Sequence, residues 1–87
     1  MRLIIKNSFF ETLSTVSDSA KLKAFDFIEK IARINDLSEV DSEPLLGFPY
    51  YHKISIEKYN LCIYVSKDKE IEILGIVEKG KEFRYLT

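Results

Sequence analysis

Lys53, Asn60, Lys79, Arg84 and Tyr85 are the residues of this chain whose types and positions suit joint work on a substrate. All five lie in the second half, where apolar residues recur with period two and a sheet is expected. Cations and a tyrosine on an open sheet suit cleavage of an RNA backbone. There a proton must leave a 2′-hydroxyl, and the charge that builds on the phosphate needs Lys or Arg beside it. Tyr51, Tyr59 and Tyr85 offer rings on which unpaired bases can stack. The alternative for the same cations is a solvated surface, with Glu78 and Glu82 neutralising Lys79 and Arg84. His52 titrates nearest neutrality, but it alternates in phase with Ile54 and Ile56 and so belongs toward the helices or their rim. Cys62 reads as a small strand residue with nothing beside it to favour a thiolate.

Other chemistries lack their residues. One histidine and one cysteine cannot build a His-rich or Cys-rich metal site, and the cysteine cannot form an internal disulfide. Gly47, Gly75 and Gly80 are too scattered for a phosphate-cradling loop. No metal or cofactor is expected. The 87 residues allow one domain, and 46% hydrophobic with 31% charged residues exclude a disordered or fibrous chain. No apolar run approaches the roughly 20 residues of a membrane span, and Leu3-Ile4-Ile5 is too short for a secretory signal. The expectation is a small soluble domain in a reducing cytoplasm.

Charge adds a constraint. The net charge is −1, whereas a protein that lies along nucleic acid is normally basic. Residues 1–46 carry 6 basic and 8 acidic side chains, and residues 47–87 carry 7 and 6. Any cationic site is therefore a local patch in the second half.

The elements that must position such a patch are legible in outline. Residues 2–6 read as a short buried strand. Ser8-Phe9-Phe10-Glu11 has capping-box spacing and predicts a first helix over about residues 9–16. Ser17-Asp18-Ser19 offers caps for a second helix from about Ser19 to Asn35. Its apolar face carries Ala20, Ala24, Phe25, Phe27, Ile28, Ile31, Ala32 and Ile34, broad enough to meet both a sheet and the first helix. Residues 36–44, acidic and broken by Pro44, read as a loop. Three strands follow, at Tyr51–Glu57, Leu61–Val65 and Ile71–Val77, then a polar tail with aromatic residues over 79–87. The consecutive apolar residues of the third predict a strand covered on both faces. The order is βααβββ: an α+β domain with a small antiparallel sheet, two helices on one face, and the first strand beside the last.

The stretch Leu46-Gly47-x-Pro49-x-x-x-Lys53-Ile54-x-Ile56-x-x-Tyr59-x-Leu61-x-Ile63-Tyr64 is followed by Ile71-x-Ile73-Leu74-x-Ile76 and a terminal Phe83-Arg84-Tyr85. With the element order, this pattern resembles the RelE/ParE superfamily of bacterial toxins. The likeness spans nearly the whole chain in topology and Leu45 to Tyr85 in sequence. It implies the toxin of a type II toxin–antitoxin pair, acting as a metal-independent, ribosome-dependent mRNA endonuclease. Catalytic roles are implied for Lys53, Lys79, Arg84 and Tyr85, and RNA contacts for Tyr51, Ser55 and Asn60. Ser55 and Asn60 stand where the family usually carries basic residues. The implied partners are a cognate antitoxin, whose disordered amphipathic segment folds over the toxin, and the ribosome with its mRNA, with no membrane. Two other readings remain open. One is a non-enzymatic protein, either a ParE-like gyrase inhibitor or a degenerate toxin retained for antitoxin binding. The other is a small α+β domain that dimerises through a strand edge.

Overall fold

A computed structural model gives the arrangement of residues 1–85, the side chain of Tyr85 excepted. The strands are Arg2–Ile5 (β1), Glu43–Leu45 (β2), Phe48–Ile56 (β3), Tyr59–Val65 (β4) and Glu70–Glu78 (β5). The helices are Asn7–Leu13 (α1) and Asp18–Arg33 (α2). Single 3-10 turns occupy Leu37–Glu39 and Glu82–Tyr85. One five-stranded sheet runs in the order β1-β5-β4-β3-β2. The α+β reading with two helices and a strand meander holds. Two details differ. The sheet is mixed, because β1 pairs with β5 in parallel, Leu3 opposite Ile71 and Ile5 opposite Ile73. The segment read as a loop also supplies β2, with Glu43 opposite Lys53 and Pro44 opposite His52. Pro44 is tolerated there because β2 is an edge strand, whose free side needs no N–H donor.

The core lies between the helices and one sheet face. Phe9, Ala20, Ala24, Ile28 and Ile31 from the helices meet Ile54, Ile56, Leu61, Ile63, Ile71, Ile73 and Ile76 from the strands. Tyr59 belongs to this cluster and is 6% exposed, so it is no stacking surface. The buried stripe of α2 is narrower than its sequence suggests. Ala32 is exposed, Phe27 half-buried and Phe25 45% exposed, although the Phe25 ring meets Phe9 edge-on at 6.1 Å. A helix resting on a single sheet covers only about one side of its wheel. Ser17 caps α2 by accepting the Ala20 N–H at 3.2 Å.

A bulge in β5 accounts for Leu74 in its apolar run, while Val77 is buried on the face opposite Ile76. Cys62 pairs with Gly75 but Ile63 pairs with Ile73, leaving Leu74 as the extra residue. The alternation therefore skips, so Ile73 and Ile76 both face the helices. Two hydroxyls one turn apart on α1 serve the backbone at this irregularity. Ser8 Oγ donates to the Leu74 carbonyl, and Thr12 Oγ1 accepts the Ile76 N–H at 3.0 Å. Ser8 is thus not the expected helix cap: α1 starts at Asn7, with Lys6 at the cap position and no side-chain capping bond. A capping box does form further on, where Asp36 accepts from Ser38 N–H and Glu39 accepts from Asp36 N–H.

Candidate functional site

Alternation along β3 and β4 decides what reaches the helix-free face. Ile54, Ile56, Leu61 and Ile63 point at the helices, so Lys53, Ser55, Asn60, Cys62 and Tyr64 point away from them. Cross-strand pairing sets Lys53 opposite Cys62, Ser55 opposite Asn60 and Tyr51 opposite Tyr64. After β5 the chain turns at Gly80, whose φ of +98° favours glycine, and the 3-10 turn comes back over this face. Between them lies a cleft of about 400 Å³. Lys53, Ser55, Asn60 and Lys79 all line it, together with Asp41, Ser42, Glu43, Gly80, Glu82 and Phe83. Four of the seven positions singled out in the sequence therefore converge.

The other three are placed differently. Tyr51 belongs to a row of rings: Phe83 lies 6.2 Å from Phe48, Phe48 6.4 Å from Tyr51, and Tyr51 5.0 Å from Tyr64. Phe83 also borders the cleft, so the row leads away from it. Arg84 lines a separate groove with Glu11, Thr12, Thr15 and Lys81, although its charge also reaches Cys62, the cross-strand neighbour of Lys53. Tyr85 ends the 3-10 turn by its backbone, and its side chain lies outside the described residues.

Glu82, which the sequence offered only as a neutraliser of Lys79 and Arg84, is the cleft residue that sequence reasoning missed. It is 4% exposed, and its carboxylate accepts from Asn60 Nδ2 and, at 3.1 and 3.0 Å, from the Gly80 N–H. Burial pushes the carboxyl up. Its own backbone N–H, Asn60, Gly80 and the positive Lys53 more than offset that, so Glu82 sits below the ordinary Glu value and stays ionised. The signal for it was slight: a Glu two residues beyond a glycine, just after the last strand. Its partner Asn60 is 22 residues away. Lys53 also faces Glu43, Nζ to Oε2 at 4.0 Å, while Lys79 is exposed and without an ion-pair partner among the described residues.

Neither of the other reactive side chains joins the cleft. His52 is half-buried with Nδ1 3.3 Å from Ser42 Oγ, and burial lowers its pKa, with partial compensation from the Pro49 backbone. It is neutral near pH 7. Burial, reinforced by the Glu82 charge and only partly opposed by Lys53 and Arg84, pushes the Cys62 thiol up to about 12, so it is no nucleophile. Among the described residues, no three His, Cys, Asp or Glu side chains gather as a metal-holding group. No helix among them is long and apolar enough to cross a membrane.

No protein family matches the chain by sequence pattern, and no curated protein matches it. Solved structures do. The RelB–RelE antitoxin–toxin complex of Methanococcus jannaschii has a chain that superposes with a TM-score of 0.78 at 20% identity, covering 97% of this chain and 99% of that one. The chain has the RelE fold. A free-state mutant of the Escherichia coli toxin RelE matches with a TM-score of 0.71 at 12% identity, over 98% of this chain and 90% of that one. The RelBE2 toxin–antitoxin complex of Mycobacterium tuberculosis gives 0.69 at 12%, over 90% and 96%. At these identities the likeness is one of backbone. What this RelE fold does with its cleft rests on the cleft's own side chains.

Proposed function

We propose that this chain is the toxin of a toxin–antitoxin pair and that it acts in the cytoplasm as a ribosome-dependent mRNA endonuclease. The observation that carries the reading is the convergence of Lys53, Ser55, Asn60 and Lys79 in one cleft beside a row of aromatic rings. In backbone cleavage the 2′-oxygen attacks phosphorus, the 2′-proton leaves, and the 5′-oxygen departs with a proton. Lys79 and Lys53 stabilise the added phosphate charge, and Tyr85 assists proton transfer. Tyr51 and Phe48 provide ring faces for unpaired bases, and Ser55 a hydroxyl contact. No step calls for a metal or cofactor. Two of the neighbouring structures, from Methanococcus jannaschii and Mycobacterium tuberculosis, are toxin–antitoxin complexes, which supports an antitoxin partner here as well.

The test is 5′-end mapping of a reporter mRNA in a cell-free translation reaction with and without the purified protein. New ends that require ribosomes are expected. An intact transcript sinks the nuclease reading.

A second reading has its own support. Asp41, Glu43 and Glu82 line the cleft against only two lysines, and Ser55 and Asn60 carry no charge. That balance favours a non-enzymatic protein, either one that inhibits gyrase or one kept for antitoxin binding. Blocked supercoiling with whole mRNA identifies the first, and tight antitoxin binding with neither effect identifies the second.

A further inference from the structure

Glu82 sits on a turn of four residues, yet its carboxylate is buried in the cleft. The bond to Gly80, two residues back, is a local turn contact. The bond from Asn60 Nδ2 is not, because Asn60 belongs to β4 in the middle of the sheet. An amide N–H, the backbone N–H of a positive-φ glycine and the charge of Lys53, with Lys79 also lining the cleft, make up a set that suits phosphate oxygens. In this molecule a carboxylate already holds it. The tail that delivers this carboxylate turns at Gly80, and its Phe83 ring is 51% exposed against Phe48.

We infer that Glu82 is a built-in anion occupying the phosphate seat of the cleft, which an RNA phosphate must displace before it can bind. Two anions cannot share Asn60 Nδ2 and the Gly80 N–H, and like charges at such range repel strongly. The resting protein is therefore self-blocked, and lifting the tail at Gly80 opens it. This rests on the RNA reading for the identity of the competitor, and on the geometry alone for the existence of the seat.

The experiment is a titration of the isotope-labelled full chain with inorganic phosphate, following the Gly80 amide and Asn60 side-chain NMR signals. Glu82→Gln keeps an acceptor oxygen but removes the charge. It is expected to bind phosphate about tenfold more tightly than the wild type, with shifts at both signals. Equal or weaker binding, or no shift at Asn60 and Gly80, overturns the inference. Should Glu82→Gln lose its fold by circular dichroism, Phe83→Ala decides instead: it loosens the tail with Glu82 intact, so a gain in phosphate affinity supports the inference and no gain overturns it. Parallel mRNA end mapping separates the two ideas. Uncut mRNA with a phosphate gain defeats the nuclease reading and leaves the seat. Cut mRNA with no gain does the reverse.

Discussion

Asn60 and Glu82 are each 4% exposed, so neither can exchange its lost partner for bulk water. Removing one leaves the other's polar atoms buried and unpaired. Asn60→Ala should therefore destabilise the fold by about 1–3 kcal/mol in urea denaturation, more than a typical surface substitution. Acid has a related effect. The Glu82 carboxyl is held below its ordinary value of 4.5 in the folded chain, so the folded state binds fewer protons than the unfolded state in that region. Its contribution to stability is complete above about pH 4.5 and is lost as pH falls through the lower, folded value. Wild-type stability should thus drop as pH falls below about 4.5, and Glu82→Gln should drop less over the same range. Lys79 is the contrasting case. It is exposed and belongs to no core contact, so Lys79→Ala should change stability by no more than about 0.5 kcal/mol while abolishing mRNA cutting. A fall of several kcal/mol would mark Lys79 as packing rather than function.

At the level of elements, α1 is defined by the strand it covers more than by its own capping. Its Thr12 hydroxyl donates toward the Ser8 and Phe9 carbonyls at 3.1 Å and accepts the Ile76 N–H, all in a site only 7% exposed. Thr12→Val keeps the volume but strands a buried backbone donor. The expected cost is about 1–3 kcal/mol by chemical denaturation, and native-state hydrogen exchange should show faster exchange at Ile76 before the rest of β5. The same place explains what the sequence did and did not disclose. The second helix was legible because its pattern is long and Ser17 caps it locally. The start of α1 was not, because Ser8 spends its hydroxyl on Leu74, 66 residues away, and no local rule anticipates that. The apolar run of β5 was read as a strand covered on both faces, and Val77, buried beside Asn60 on the helix-free face, fits that reading, while Leu74 owes its place to the bulge. Edge strand β2 was hidden by Pro44 and its acidic neighbours, whose meaning depends on lying at a sheet edge.

Across the whole molecule, the site followed the same division. Lys53, Ser55 and Asn60 share a face by strand alternation, whereas Lys79, Glu82 and Arg84 depend on how the tail turns beyond β5, which the residue pattern leaves open. The net charge of −1 then sets how the cleft meets RNA. With no global positive field, association is not steered from a distance, and affinity for free RNA rests on the few cations at the site. A substrate held in place by the ribosome removes much of the ordering cost that weak contacts cannot offset, which is the physical case for ribosome dependence. The salt dependence of binding measures the number of cations directly. If Lys53 and Lys79 alone meet phosphates, log K for a single-stranded oligoribonucleotide should fall with log salt at a slope of about −1.4, at about −0.7 per contact. Fluorescence anisotropy on the wild type and on Glu82→Gln should give that same slope, with the variant tighter at every salt concentration. A slope near −3 or steeper would require further cations, and Lys81 with Arg84 in the neighbouring groove are placed to supply them. In that event the RNA path would cross from the cleft over the tail, and the two-lysine assignment would have to be given up.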